Sequence, residues 1–285
     1  MTEQNLKRVR KKRRLAFLAD LYAVLMYTLF YIPVAVMIVF SFNDAKRNYS
    51  WEGFTTGWYG KLFSFSNTTL WDALVYSLII AVLATVISTV IGVLGGIGLK
   101  KFEFRTKKFI NMMIYVPIIV PEIVLAVAML IIFITVGIKM GMGTILIGHC
   151  TFCIPYAVVT IKGRISGDNE TLEEASMDLG ANRIQTFVRV TIPSIMPGIM
   201  SAAFLSFTLS IDDVVMSNML AGASQSTLPV LILSLNRTGL SGDVNALTTV
   251  MIVCMVAGLL VQSLIRRLIS KRRAKEGALL PQEEG

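Results

Sequence analysis

The sequence predicts an all-α, polytopic membrane protein with six transmembrane helices, and three observations predict it. Just over half of the 285 residues are apolar, and only 16% are charged. Apolar runs close to ~20 residues long recur along the chain, about what a helix rising ~1.5 Å per residue needs to cross ~30 Å of hydrocarbon. The basic residues that give a formal net charge of +9 gather in the tails and in alternate connecting loops. That placement is a topology signal and does not mark a nucleic-acid-binding face.

The N-terminus opens with Lys7, Arg8, Arg10, Lys11, Lys12, Arg13 and Arg14. A secretory signal begins in the same way, but the apolar run behind these residues continues from Leu15 to Phe42 without a small-residue cleavage site, too long for a signal core. It is read as an uncleaved first span. The six spans are expected at Leu21–Phe42, Asp72–Leu99, Ile110–Ile134, Gly143–Ile161, Pro197–Leu220 and Val244–Ile265. With the N-terminus in the cytoplasm, the N-tail, Lys100–Lys108, Lys162–Pro193 and the C-tail hold 22 of the 27 Lys and Arg, and the three outer connections hold 5. Both termini are therefore expected inside. The organisation that follows is a basic tail (1–20), a first helix with its outer loop (21–71), a five-helix core (72–265) with a polar cytoplasmic loop (163–196), and a cytoplasmic C-tail (266–285).

The first outer loop carries Trp51, Trp58, Tyr59 and Trp71, rings suited to the headgroup boundary; ligand contact is the alternative. The second span ends in GVLGGIGLKK, where Gly92 and Gly96 have the small-xxx-small spacing that lets another helix approach closely. This run is no phosphate loop, which needs Gly-Lys-Ser/Thr after a strand, and no such signature occurs in the chain. If ATP drives this protein, another polypeptide binds it. His149, Cys150 and Cys153 form an HCxxC cluster, read as packing because a single CxxC lacks the second ligand pair of a zinc ribbon. With Cys254, all three cysteines lie in or beside apolar spans and make no secreted disulfide framework. After Ile265, RRLISKRRAK anchors the last span at an anionic membrane surface, and EGALLPQEEG reads as a polar disordered tail.

Three acids stand inside the expected spans: Glu122 within VPIIVPEIVLA, and Asp212 and Asp213 within SFTLSIDDVVM. A carboxylate at that depth costs on the order of 3 kcal/mol and faces the bundle interior or water, with a partner. None of the six spans holds Lys or Arg. The acids must then be protonated, paired with a neighbouring subunit, or set along a wet path that sometimes holds a cation. Polar contacts that hold the bundle together are the plainer alternative. Pro117 and Pro121 favour the path, since each removes a backbone donor and loosens the helix just before Glu122. Adjacent residues point to different helix faces, so only one of Asp212 and Asp213 need line it.

Between the fourth and fifth spans, Leu172–Gly198 reads LEEASMDLGANRIQTFVRVTIPSIMPG, too polar for a membrane segment. Asp168 or Asn169 can cap a short helix whose first turn gathers Glu170, Glu173 and Glu174 at the positive end of its dipole. Gly180 ends that helix in a left-handed turn, and a second helix starts near Asn182. Pro193 and Pro197 mark the return to the membrane, with Phe187, Val188, Val190 and Ile192 giving the second helix an apolar side. A polar element held between spans is there to be touched by another molecule.

The run EAS-x3-G-x9-VTIP, Glu174 to Pro193, resembles the EAA loop of ABC-importer permeases, EAA-x3-G-x9-IxLP, in register over the whole motif and in the loop before the penultimate span. Ser176, Val190 and Ile192 replace alanine, isoleucine and leucine of that pattern. The likeness extends from about Asp72 to Leu264. Within it SFTLSIDDVVMSNMLAG, GDVNALTT and the acid after proline at Glu122 look most like the spermidine/putrescine subgroup.

The resemblance implies a type I ABC-importer permease fold and a transport subunit that is not itself an enzyme, in a bacterial inner membrane. It implies a dimer of ATP-binding subunits that hold the ATP and magnesium, a second homologous permease, and a substrate-binding protein outside. Glu173, Glu174, Ala175 and Ser176 would form the face that docks on the ATPase, Gly180 would set the angle to the next helix, and Pro193 would close the loop. Glu122, Asp212 and Asp213 would line the path of a polyamine, whose spaced ammonium groups suit spaced carboxylates. The alternatives are a permease for another small solute, a self-powered secondary cation transporter, or a membrane scaffold whose polar loop is an adaptor site.

Overall fold

In hydrocarbon every backbone N–H and C=O has to be bonded within its own segment, so apolar runs of this length become helices. The computed structural model describes residues 3–45, 50–64, 68–165, 167–222, 226–236 and 242–277, with side chains for 15–45, 50–64, 68–165, 171–222, 226–236, 242–258 and 260. Among the described residues no strand occurs, only an isolated antiparallel bridge between Asn43 and Phe54.

In chain order the helices are α1 (Glu3–Phe40), α2 (Gly57–Phe63), α3 (Thr68–Lys101), α4 (Lys107–Ile119), α5 (Glu122–Val136), α6 (Met142–Arg164), α7 (Gly167–Asp178), α8 (Arg183–Thr186), α9 (Ile192–Ile211), α10 (Val215–Leu220), α11 (Leu228–Asn236) and α12 (Gly242–Gly277). A π-helical segment, Phe187–Thr191, joins α8 to α9 without a break.

The chain forms two compact units, residues 1–67 with 235–285, and residues 68–234. In the first unit, no residue of the apolar stretch Leu15–Phe40 is buried against the rest of the chain. A helix apolar on all sides is covered by lipid or by another protein. The loop behind it is knotted. Asn43 accepts from Trp58 Nε1 through its backbone oxygen at 2.7 Å, while its side chain bonds Ser50 O at 2.6 Å and Glu52 N at 2.9 Å. The Phe42 ring meets Phe54 and Tyr59 at 5.5 and 5.1 Å. A Cβ added to Gly242 would lie 2.3 Å from the Trp58 ring, so the start of α12 rests on this indole. Trp58, expected as a headgroup anchor, is thus built into the loop's own structure.

The second unit is assembled on α3, α6 and α9, which pack on one another. The small-xxx-small spacing in α3 acts as expected: a Cβ at Gly92 would stand 2.6 Å from that of Ala157, and one at Gly96 would stand 3.1 Å from the Ile161 side chain. The backbones of α3 and α6 therefore nearly touch. Ile97, Ala157, Ile161, Ile165, Ile195 and Ala202 form the core at one end of this trio. At the other end, Tyr76, Ile80, Phe133, Ile145, Met216 and Leu220 enclose Ala126.

The expected spans are met unevenly. Four helices among the described residues are long and apolar enough to cross a membrane: Leu15–Phe40, Thr68–Lys101, Met142–Arg164 and Arg183–Ile211. The third expected span is not one straight helix, because α4 and α5 meet at 107° across Val120–Pro121. Val120 is extended (φ −70°, ψ 132°), the conformation that a following proline imposes. The fifth begins earlier than expected and ends at Ile211, one residue before the two aspartates. The apolar described stretch of α12, Gly242–Gly258, is shorter than a full span. The EGALLPQEEG tail beyond Gly277 and the side chains of the basic N- and C-terminal runs lie outside the described residues.

Candidate functional site

Two helix breaks bring the intramembrane acids together. Glu122 is the first residue of α5, immediately after the bend, and Asp213 follows the end of α9. Their carboxyl groups lie close enough to interact. Two neighbouring carboxyl groups repel when both are charged, which favours a proton or a cation at this place.

Asp213 is fixed from three further directions. It is 8% exposed and accepts from Ser217 N at 2.8 Å and Met216 N at 3.3 Å, the free donors of the first turn of α10. Its Oδ2 lies 3.1 Å from His149 Nε2. His149 is 2% exposed on α6; its Nδ1 stands 2.6 Å from Ser210 Oγ and its Nε2 stands 3.1 Å from Ser217 Oγ. The imidazole thus bonds to the end of α9, to α10 and to Asp213 together.

This arrangement corrects two expectations. Asp213 does have a basic partner within the chain, a histidine and not a Lys or Arg. His149, read as packing with its neighbouring cysteines, is a polar pin. Cys150 and Cys153 are buried, with Cys153 Sγ 3.6 Å from Ser206 O. Among the described residues no group of His, Cys, Asp and Glu is arranged to hold a metal. Asp212 is exposed, Glu122 is half-buried and Asp213 is buried, so the paired aspartates do face different surroundings.

The second candidate region is the polar element between α6 and α9. Helix α7 ends in the double bond of a Schellman turn, with Ala181 N donating to Ser176 O and Gly180 N to Met177 O. That turn requires the left-handed conformation seen at Gly180, φ +89°. Asn182 then caps α8, accepting from Gln185 N at 2.9 Å while its own N–H donates to Gln185 Oε1 at 3.0 Å. The α7 helix starts at Gly167, earlier than expected, and the side chains of Asp168, Asn169 and Glu170 lie outside the described residues. Pro193 does not interrupt the chain: it supplies no N–H, and the π-helical widening just before it lets the helix continue.

The four residues expected on the docking face divide into pairs. Glu174 and Ala175 are exposed. Glu173 is turned inward, ion-paired with Lys101 at the end of α3 and accepting from Thr191 Oγ1 at 2.7 Å. Ser176 Oγ stands 2.7 Å from Thr186 Oγ1. Exposed apolar residues flank the outward pair, with Leu172 at 55%, Leu179 at 90% and Ile184 at 76% exposure. Sequence reasoning read Lys101 only as a topology charge and left Thr191 and His149 without polar roles; the one signal for His149 was that it is the chain's sole histidine.

Residues 88–275 match the family described as binding-protein-dependent transport system inner membrane component. The chain is 39% identical over 251 residues to the spermidine/putrescine transport system permease protein PotC of Haemophilus influenzae, covering 88% of this chain and 97% of that one. It is 38% identical to PotC of Escherichia coli K12, with 88% and 92% covered, and 34% identical to the putrescine transport system permease protein PotI of the same strain, with 87% and 88% covered. Among solved structures it resembles the MetNI methionine ABC transporter in an inward-facing conformation, at a TM-score of 0.51 and 19% identity over 74% of this chain and 97% of that chain. It also resembles an amino acid ABC transporter, at 0.52 and 16% identity over 74% and 96%. These two likenesses establish a shared fold.

Proposed function

The chain belongs to the binding-protein-dependent transport system inner membrane components, and from that premise we propose that it is the permease subunit through which a polyamine crosses an inner membrane. A member of this family is a transport subunit and has the type I ABC-importer permease fold. A self-powered secondary transporter has no support from this membership.

The observation that carries the substrate reading is that Glu122 and Asp213 stand close together where two spans break. Broken helices at membrane depth are tolerated where they line a cavity or are buried in protein. Two neighbouring carboxyl groups with a third, Asp212, exposed beside them make a place that suits an ammonium group. The names of the relatives agree, being polyamine permeases.

In this reading both termini and α7 lie in the cytoplasm. The exposed side of α7 and its turn, with Glu174, Ala175 and Leu179, docks on an ATPase dimer that binds ATP and magnesium. Gly180 sets the angle to α8, and Pro193 seats the return to α9. A second homologous permease completes the path, and an extracytoplasmic binding protein delivers the substrate.

Uptake of radiolabelled spermidine and putrescine by the complete transporter in liposomes tests the reading. Glu122→Gln and Asp212→Asn are expected to slow uptake while both permeases and the ATPase still copurify. Normal uptake by both variants would show that the carboxylates are structural. Robust uptake of an uncharged or anionic solute, with none of either polyamine, would overturn the substrate class.

A further inference from the structure

Lys101 Nζ reaches both carboxylate oxygens of Glu173, joining the last turn of α3 to α7. The pair is sheltered, at 17% and 15% exposure, and Thr191 donates to the same carboxylate. One side chain therefore ties three elements: its own helix, the end of α3, and the π-helical segment before α9.

Around this junction the packing is open. A cavity of about 550 Å³ lies there, with Leu94, Ile97, Phe102, Met177, Arg183 and Phe187 on its walls and Glu173 and Lys101 at its polar side. Close-packed side chains pass a displacement on by contact, whereas a void absorbs it. Across such a void, the ion pair connects α7 with α3.

Movement of α7 can reach the membrane helices covalently at both of its ends and also across the Glu173–Lys101 pair. One covalent link leads back to α6, which ends at Arg164; the other runs through the Gly180 turn, α8 and the π-helical segment to α9. Its irregular turn spacing makes that segment a place to bend. The route across the ion pair, Glu173 to Lys101, reaches a helix whose backbone nearly touches α6 at Gly92 and Gly96. A pull on Lys101 moves α3 and α6 as one body.

We propose that Glu173 is a positioning residue that hands the displacement of α7 to α3 through Lys101, and is not a contact for the ATPase. The proposal rests on α7 being the docking helix. Its test uses the complete transporter in liposomes, measuring polyamine uptake and ATP hydrolysis in the same vesicles. Lys101→Glu and Glu173→Lys are each expected to retain the ATPase through purification and to lower uptake per ATP hydrolysed by roughly tenfold. The double exchange restores it. Lys101→Arg keeps the ratio and Lys101→Met does not, a comparison that decides the matter if the exchanged pair fails to assemble.

Release of the ATPase by Glu173→Lys but not by Lys101→Glu would make Glu173 a docking contact and overturn the proposal. An unchanged ratio in Lys101→Met would overturn it as well. Glu174→Lys, on the exposed side, reports on docking alone. If that variant keeps the ATPase in full, docking at α7 falls and the proposal falls with it, whereas failure of the ion-pair variants leaves docking standing.

Discussion

The acid junction and the α7 element are both polar insertions in an apolar chain, and they are held in opposite ways. At the junction, His149, Ser210, Asp213 and Ser217 are all buried, and α5, α6, α9 and α10 converge on them. In α7, by contrast, large apolar side chains face outward, and the inward face is tied by the Glu173 and Ser176 bonds beside an open cavity. In the proposed reading the junction meets cargo and needs fixed geometry, whereas α7 receives force and needs a partner-sized exposed face with a few firm ties to what it moves. The same chain provides both because desolvation makes bonds at the junction expensive to leave unmade, while α7 can leave its surface for another protein.

Asp213→Ala should have the largest effect, since it removes the acceptor for two backbone N–H groups and the partner of a buried imidazole. Stranding these groups costs on the order of 3–5 kcal/mol, to be read as a large drop in the melting temperature of the detergent-solubilised protein. Glu122→Ala should move that temperature far less, because Glu122 is half-buried and, among the described residues, accepts no bond from a backbone N–H. Equal drops for both would erase the distinction between pin and path.

His149→Ala comes next. Ser210 and Ser217 lose a shared partner, at about 1–3 kcal/mol for stranded buried polar groups. His149→Asn, which keeps a donor and an acceptor near the same place, should recover part of the loss. If alanine and asparagine melt together, the ring serves only as filler and the junction is held without it.

How far these features could be read from sequence follows from how local each one is. The Schellman turn at Gly180 and the Asn182–Gln185 cap are short-range patterns, and Gly180 and Asn182 themselves marked in sequence where one helix would end and the next begin. Pro121 likewise announced the bend before Glu122, although not its 107° angle. The ties that matter most are long-range. Lys101 and Glu173 are 72 residues apart, and His149 and Ser217 are 68 apart. No spacing rule links such pairs, since only the packing of α3, α6 and α9 brings them into reach. Asp212 and Asp213 are chemically identical neighbours, and it is the end of α9 at Ile211 that buries one and exposes the other.

Gly180→Ala probes the other region. A Cβ there meets nothing within 4 Å, so the cost is conformational alone, about 1 kcal/mol for a left-handed alanine. The expected result is an almost unchanged melting temperature together with weaker substrate-stimulated ATP hydrolysis by the complete transporter, because the angle between α7 and α8 is disturbed. A large loss of thermal stability would mean that α7 is as firmly built in as the junction.

The smallest effect on the chain itself is expected at Leu179. At 90% exposure it buries almost nothing within the protein, so Leu179→Ser should change stability by no more than about 0.5 kcal/mol. A leucine is nevertheless a costly residue to display in water at the tip of a turn, beside Leu172 and Ile184, unless something covers it. The ATPase is expected to copurify less well with this variant, and the loss should be read by titrating ATPase against the reconstituted permease pair. If Leu179→Ser retains the ATPase at the wild-type level while Glu174→Lys releases it, the docking face is polar and confined to the helix, and the exposed turn lies outside it.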